Sequence, residues 1–134
     1  MLDSQALSKL AAGDRTMQAL WLQASRRDGK VRLFTAASTL AEVLRGGPRD
    51  TAVHRILTAV EVADVTKQIG RKAGELLGAA GLSGHRCALD ALLAAIALAQ
   101  DRPVLLATSD PGDLGKLTEE VGRRKSQRIK IVKI

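Results

Sequence analysis

Cysteine occurs once in this 134-residue sequence, tyrosine not at all, and Trp21 and Phe34 are the only aromatic side chains. A lone Cys87 excludes an internal disulfide, and nothing argues for an oxidising compartment. With so few rings, the core must be filled by Leu, Ala, Val and Ile, and base-stacking recognition of nucleic acid is disfavoured. The most apolar stretch, residues 91–99, is far shorter than the ~20 residues of a membrane span. Met1-Leu2-Asp3-Ser4-Gln5 lacks the basic start and apolar run of a signal peptide. Repeats, low-complexity segments and linkers are also missing. The expectation is one cytoplasmic domain over 1–134, with no membrane partner.

What is present is aliphatic and basic. Apolar residues make up 46% of the chain, enough for a sizeable core. The 21 Lys and Arg outnumber 14 Asp and Glu, for a formal net charge of +7 and a pI near 10.2. That balance favours polyanionic partners such as nucleic acid, an acidic protein or a membrane surface, although many small soluble proteins are basic for no specific reason.

Short β-like runs alternate with longer helical ones. Residues 5–11 read as a helix, and 16–27 as a second with Met17, Leu20, Trp21 and Ala24 on one face. Strands are expected at 30–35, 60–65, 104–108 and 129–134, and helices at 37–45, 51–59, 67–77, 86–100 and 110–122. Gly46-Gly47-Pro48 stops a helix, 78–84 reads as a loop, and 86–100 is apolar almost all round and should be buried. The run 104–108 suits a parallel sheet covered on both faces, whereas Lys130 and Lys133 suit a lysine-protected edge strand. The alternation implies an α/β fold with a parallel sheet whose site lies at the carboxyl ends of the strands.

That rule directs interest to the acids. Asp3 and Asp110 each follow a strand and precede a helix, where a carboxylate serves as an N-cap. Asp110-Pro111-Gly112-Asp113 is good capping chemistry in its own right. Glu42 reads singly as a solvent-facing helix residue paired with Arg45. Asp90 is different. It lies in the most apolar part of the chain, where a carboxylate is costly unless the helix dipole, a partner such as His85 or Arg86, or a metal compensates. A parallel sheet brings Asp3 and Asp110 to one edge and the helices carrying Glu42 and Asp90 alongside. Four carboxylates there repel one another by several kcal/mol per close pair at an effective dielectric of about 20, which calls for bound positive charge. Oxygen ligands without His or Cys suit Mg²⁺ or Mn²⁺ rather than zinc, so His54 and His85 are read as structural.

Four motifs follow one another in order: Leu2-Asp3-Ser4-Gln5-Ala6-Leu7, Leu40-Ala41-Glu42-Val43 with Arg45 after it, Leu89-Asp90-Ala91-Leu92-Leu93-Ala94-Ala95, and Ala107-Thr108-Ser109-Asp110-Pro111-Gly112-Asp113-Leu114. With them the sequence resembles PIN-domain proteins, in particular the VapC-type ribonuclease toxins of prokaryotic toxin–antitoxin pairs, over essentially its whole length. The resemblance implies a Rossmann-like parallel sheet of about five strands flanked by helices. It also implies Mg²⁺- or Mn²⁺-dependent endonucleolytic cleavage of RNA, a homodimer and an antitoxin partner. The family's acidic quartet falls on Asp3, Glu42, Asp90 and Asp110, with Asp113 as a candidate fifth ligand, and Ser4 and Ser109 stand where the family often has a hydroxyl. Two departures are that only Met1 and Leu2 precede Asp3, so the first strand is stunted or the natural start lies upstream, and that no extra acid precedes Asp90.

The chemistry expected of such a site is in-line attack of water on a phosphodiester, with Asp3, Asp90, Asp110 and Asp113 as metal ligands and Glu42 ligating through water or accepting a proton. Phosphate contacts are expected from Arg15, Arg45, Arg49 and Lys116. The run Arg123-Arg124-Lys125 is a further candidate, or else a solvated helix end favoured by the dipole. An inactive PIN-fold module that binds RNA or protein is the alternative. Phosphotransfer domains fit less well: Asp3-Ser4-Gln5 is not Asp-x-Asp, and 104–110 offers no Lys.

Overall fold

The computed structural model describes residues 1–28 and 31–134, with the side chains of Ser25, Arg27 and Asp28 left aside. The expected strand 30–35 begins at Lys30, outside the described residues, and within them it is shifted to Phe34–Ala36 (β1). Its parallel neighbour is Glu61–Ala63 (β2), and a second parallel pair joins Leu105–Thr108 (β3) to Lys130–Lys133 (β4).

The N-terminal segment knits the two pairs together. Leu2 pairs in parallel with Ala107 and donates its N–H to Phe34 O at 2.9 Å. Ala107 N donates to Met1 O at 3.0 Å and Asp3 N to Ala107 O at 3.2 Å. The buried Thr35 hydroxyl adds a 2.7 Å bond to Leu2 O. The layer therefore runs β2, β1, residues 1–3, β3, β4, and the first strand is indeed reduced to a single bridge. The fold is α/β with parallel pairing, as the alternation implied.

Helices cover both faces: α1 Ser4–Ala11, α2 Arg15–Asp28, α3 Ala37–Val43, α4 Thr51–Leu57, α5 Lys67–Ala80, α6 Gly84–Leu98 and α7 Pro111–Leu117. None of the described helices is by itself long and apolar enough to cross a membrane. Strand period divides the core in two. Leu106 packs with Ala94, Ile96, Leu114 and Leu117 on one side, while Ala107 and Leu2 pack with Leu7, Leu10, Met17 and Val53 on the other. Both clusters are overwhelmingly aliphatic, and buried Ala36, Ala94, Ala97 and Ala107 let helices approach the sheet closely. Leu106→Ala empties a fully buried position in β3, and about 2–5 kcal/mol of unfolding free energy is expected to be lost in a urea titration.

Several element ends differ from the sequence reading, each for an identifiable reason. α5 runs through 78–80, expected as loop, because only Gly81 (φ 64°) adopts the left-handed conformation that ends it. α3 stops at Val43 rather than Arg45. The Arg45 N–H bonds Asp50, and the Arg45 guanidinium takes the vacated Ala41 carbonyl at 3.2 Å. α7 ends at Leu117, five residues short of Gly122, where the Thr118 hydroxyl satisfies Leu114 O at 2.7 Å. α6 is not buried all round: Cys87 is buried, but Ala88 and Leu89 are exposed, and near-continuous burial comes only from Ala91 onward. α4 likewise ends at Leu57, and β2 is confined to 61–63.

Candidate functional site

The carboxyl ends of the central strands carry the acids. Asp3 follows the bridging Leu2 and caps α1: Oδ1 accepts the Ala6 N–H at 2.6 Å, and the residue is 8% exposed. Asp110 follows β3 and caps α7, with Oδ1 accepting the Gly112 N–H at 3.2 Å. A side chain at 112 would press within 3.3 Å of that oxygen, so glycine permits the close turn. Both capping roles therefore exist. Each occupies one oxygen, and among the described residues Oδ2 of either has no hydrogen bond in the structure.

Asp90 lies on α6, partly buried, and makes no hydrogen bond among the described residues. Neither His85 nor Arg86 is bonded to it. Burial pushes its carboxyl up first, followed by the charges of Asp3, Asp110 and Asp113. Glu42, on α3, accepts a long hydrogen bond from Ser4 Oγ at 3.4 Å rather than pairing with Arg45. Its carboxyl is also raised, by desolvation and then by Asp90 and Asp3, against the opposing Ser4 bond. Four acids far apart in sequence, with Asp113, thus act on one another through space at this edge. Among the described residues, however, no three His, Cys, Asp or Glu side chains are arranged to hold an ion together.

Asp113 differs from the others. Lys116 Nζ holds Oδ1 at 3.2 Å and the buried Cys87 thiol lies 3.6 Å from Oδ2, so both oxygens are engaged. Its carboxyl is held below the usual range, chiefly by Lys116, with Cys87 and Arg86 contributing. The same neighbourhood pushes the Cys87 thiol up, led by desolvation and Asp113.

Of the hydroxyls, Ser4 reaches Glu42, and the one that shapes the turn at Asp110 is that of Thr108. Buried Thr108 Oγ1 accepts Asp110 N–H at 3.0 Å and donates to Asp110 O at 3.2 Å. A Thr ending a strand two residues before an acid is the pattern of a hydroxyl turn. Asp50 reads in sequence, with Thr51, as a candidate cap for the helix over 51–59, but its side chain makes no capping bond there. Buried, its Oδ2 accepts Arg45 N–H at 2.8 Å and Gly46 N–H at 2.7 Å, and these bonds hold its carboxyl low.

Of the expected phosphate contacts, Lys116 stands beside Asp113, and Arg45 folds back on the turn of α3 that carries Glu42. Arg49 is exposed in the short turn Pro48–Asp50, and Arg15 is exposed at the start of α2. Among the described residues no contact ties Arg15 or Arg49 to the acids. Arg123 pairs with Glu120 at 3.0 Å, and the Arg123-Arg124-Lys125 run lies beyond α7 rather than on its end. Among the described residues neither histidine is hydrogen-bonded to an acid; the charge of His54 contributes to the low carboxyl of Asp50.

The donor set is wholly oxygen at Asp3, Glu42, Asp90 and Asp110, a set that suits a hard divalent cation. No curated protein matches this chain. The family model of the PIN domain, a nuclease-type fold, matches residues 1–117. Acids gathered at the carboxyl edge of a parallel sheet and a match across most of the sequence lead to one assignment: the chain belongs to the PIN-domain family.

Proposed function

We propose that this protein is a metal-dependent endoribonuclease. The observation that carries the reading is the PIN-domain match over residues 1–117 together with the placement of the acids, Asp3 and Asp110 following the central strands and Asp90 on α6, at an edge that Glu42 joins through Ser4. Asp3, Asp90 and Asp110, with Asp113, would hold Mg²⁺ or Mn²⁺. A divalent ion there supplies the positive charge that activates water and stabilises a leaving oxygen. Glu42, which accepts the Ser4 hydroxyl at 3.4 Å, would ligate the ion through water or accept a proton. The caps hold Asp3 and Asp110 by one oxygen each. Cys87 and Lys116 hold Asp113. Arg15, Arg45, Arg49 and Lys116 are the proposed contacts to substrate phosphates.

Resemblance to VapC-type proteins extends the reading to the toxin of a toxin–antitoxin pair that acts as a cytoplasmic homodimer neutralised by an antitoxin. Growth arrest on expression, relieved by a neighbouring gene product, is the result that supports this extension.

The enzymatic claim is tested by following cleavage of labelled RNA with Mn²⁺ or with EDTA. Wild type is expected to cut with Mn²⁺ and to stop with EDTA. Asp90→Asn is expected to lose on the order of 10²-fold or more, each tenfold being about 1.4 kcal/mol of the barrier. Equal cutting by both proteins points to a contaminating nuclease and sinks the assignment. Inert wild type with Mn²⁺ favours a non-catalytic PIN-fold module.

A further inference from the structure

The net charge of +7 is not spread over the molecule. Residues 121–134 carry Arg123, Arg124, Lys125, Arg128, Lys130 and Lys133 and no acid. Those six set aside, 15 Lys and Arg face all 14 Asp and Glu in the preceding 120 residues, so the rest of the chain is close to neutral. All six are exposed, and only Arg123 has a carboxylate partner among the described residues. This segment also lies beyond the span matched by the PIN-domain model, which ends at 117.

The register shows where the strip leads. β4 runs parallel to β3, with Lys130 opposite Leu105 and Lys133 opposite Thr108. Ile134 N donates to Thr108 O at 3.0 Å, and Thr108 in turn holds Asp110. One end of the basic strip therefore reaches the acidic edge. The other end, the short turn Lys125–Gln127, is fastened at the opposite end of β3 by Arg102 Nε on Gln127 O at 3.1 Å. Protection of an exposed sheet edge explains Lys130 and Lys133, but not the four cations that precede the strand. A cluster of carboxylates repels phosphates, so a polyanionic substrate has to be gripped beside it, and this strip is the concentration of positive charge that adjoins it.

We propose that the β4 edge and the basic turn before it form a track for the RNA backbone flanking the cleaved bond. The inference rests on the ribonuclease reading and adds where the substrate lies.

The test is fluorescence anisotropy in EDTA with labelled single-stranded RNAs of two lengths, across a salt series. The protein is compared with its Arg124→Gln/Lys125→Gln/Lys130→Gln/Lys133→Gln variant. For an RNA of about 16 nucleotides, losing four phosphate contacts makes the slope of log K against log salt shallower by about 2–3, while one of about 4 nucleotides is bound alike by both proteins. The double variant Arg124→Gln/Lys125→Gln leaves β4 untouched and is expected to show about half the change in slope. A wild-type slope in the quadruple variant overturns the track, as does equal weakening for both lengths. Tighter binding of a polyglutamate peptide than of RNA, lost in the quadruple variant, overturns it in favour of an acidic protein partner. Failure of wild type to bind either RNA at low salt overturns the RNA reading itself.

Discussion

Asp90→Asn is expected to raise the melting temperature of the metal-free protein at neutral pH while abolishing most of its stabilisation by Mn²⁺. The carboxyls of Asp90 and Glu42 are raised in the folded protein, so the native state binds protons more tightly than the unfolded chain. Their contribution is intact below the ordinary values of 3.8 and 4.5 and is lost as pH rises through the raised ones, so stability falls with pH across that window. Removing the Asp90 charge ends its own share and lightens that of Glu42, for which Asp90 is the leading charge. The advantage of the variant should vanish below pH ~4, where the carboxyl is neutral in both states. Saturating Mn²⁺ reverses the order. An ion at 100 times its Kd adds about 2.7 kcal/mol to wild type, and a site without Asp90 gains much less. Thermal scans in EDTA and in Mn²⁺ at pH 4 and pH 7 read both signs. A variant that melts below wild type in EDTA at pH 7 would show that Asp90 is structurally compensated and is not a strained ligand.

Two substitutions at Asp3 should separate its duties. Asp3→Ala removes both the cap and the charge, whereas Asp3→Asn keeps an oxygen to accept the Ala6 N–H and removes only the charge. Both are expected to lose on the order of 10²-fold or more in RNA cleavage. Only the alanine variant should also lose about 1 kcal/mol of stability, from the uncapped start of α1. Asparagine has to sit where Asp3 is almost fully buried, and its amide occupies the space of the carboxylate. Retained cleavage in Asp3→Asn would reduce this residue to a helix cap and remove it from the site.

The acids of the candidate site stand out in the sequence because chemistry and local context conflict. An acid within Leu89-Asp90-Ala91 has no good structural excuse, and the burial and neighbouring charges around Asp90 are the reason it stands out. Asp3 and Asp110 were legible from their places after strands, although the capping they also perform is the more ordinary use of such positions. Less legible was everything that depends on a partner distant in sequence or on a reversal of direction. Gly46-Gly47-Pro48 announced the end of α3, but not that buried Asp50 would capture the N–H groups of Arg45 and Gly46 and end the helix two residues sooner. Thr108 shapes the turn at Asp110, which sequence did not announce, because its hydroxyl reaches both the N–H and the carbonyl of Asp110. Asp113 reads in sequence as a capping acid and candidate fifth ligand, and nothing local announces that Lys116 and Cys87 engage its two oxygens.

By itself the sequence determined an aliphatic core, the alternation of helix with strand, the basic balance and the identity of the acids. These follow from residue type and short-range periodicity, which the chain carries locally. Only the tertiary structure decided that Met1–Asp3 would bridge β1 and β3, which carboxylates would raise one another, and that the basic C-terminal residues would lead to the acidic edge. Electrostatic coupling depends on distance through space, and strand register sets that distance between residues far apart in sequence.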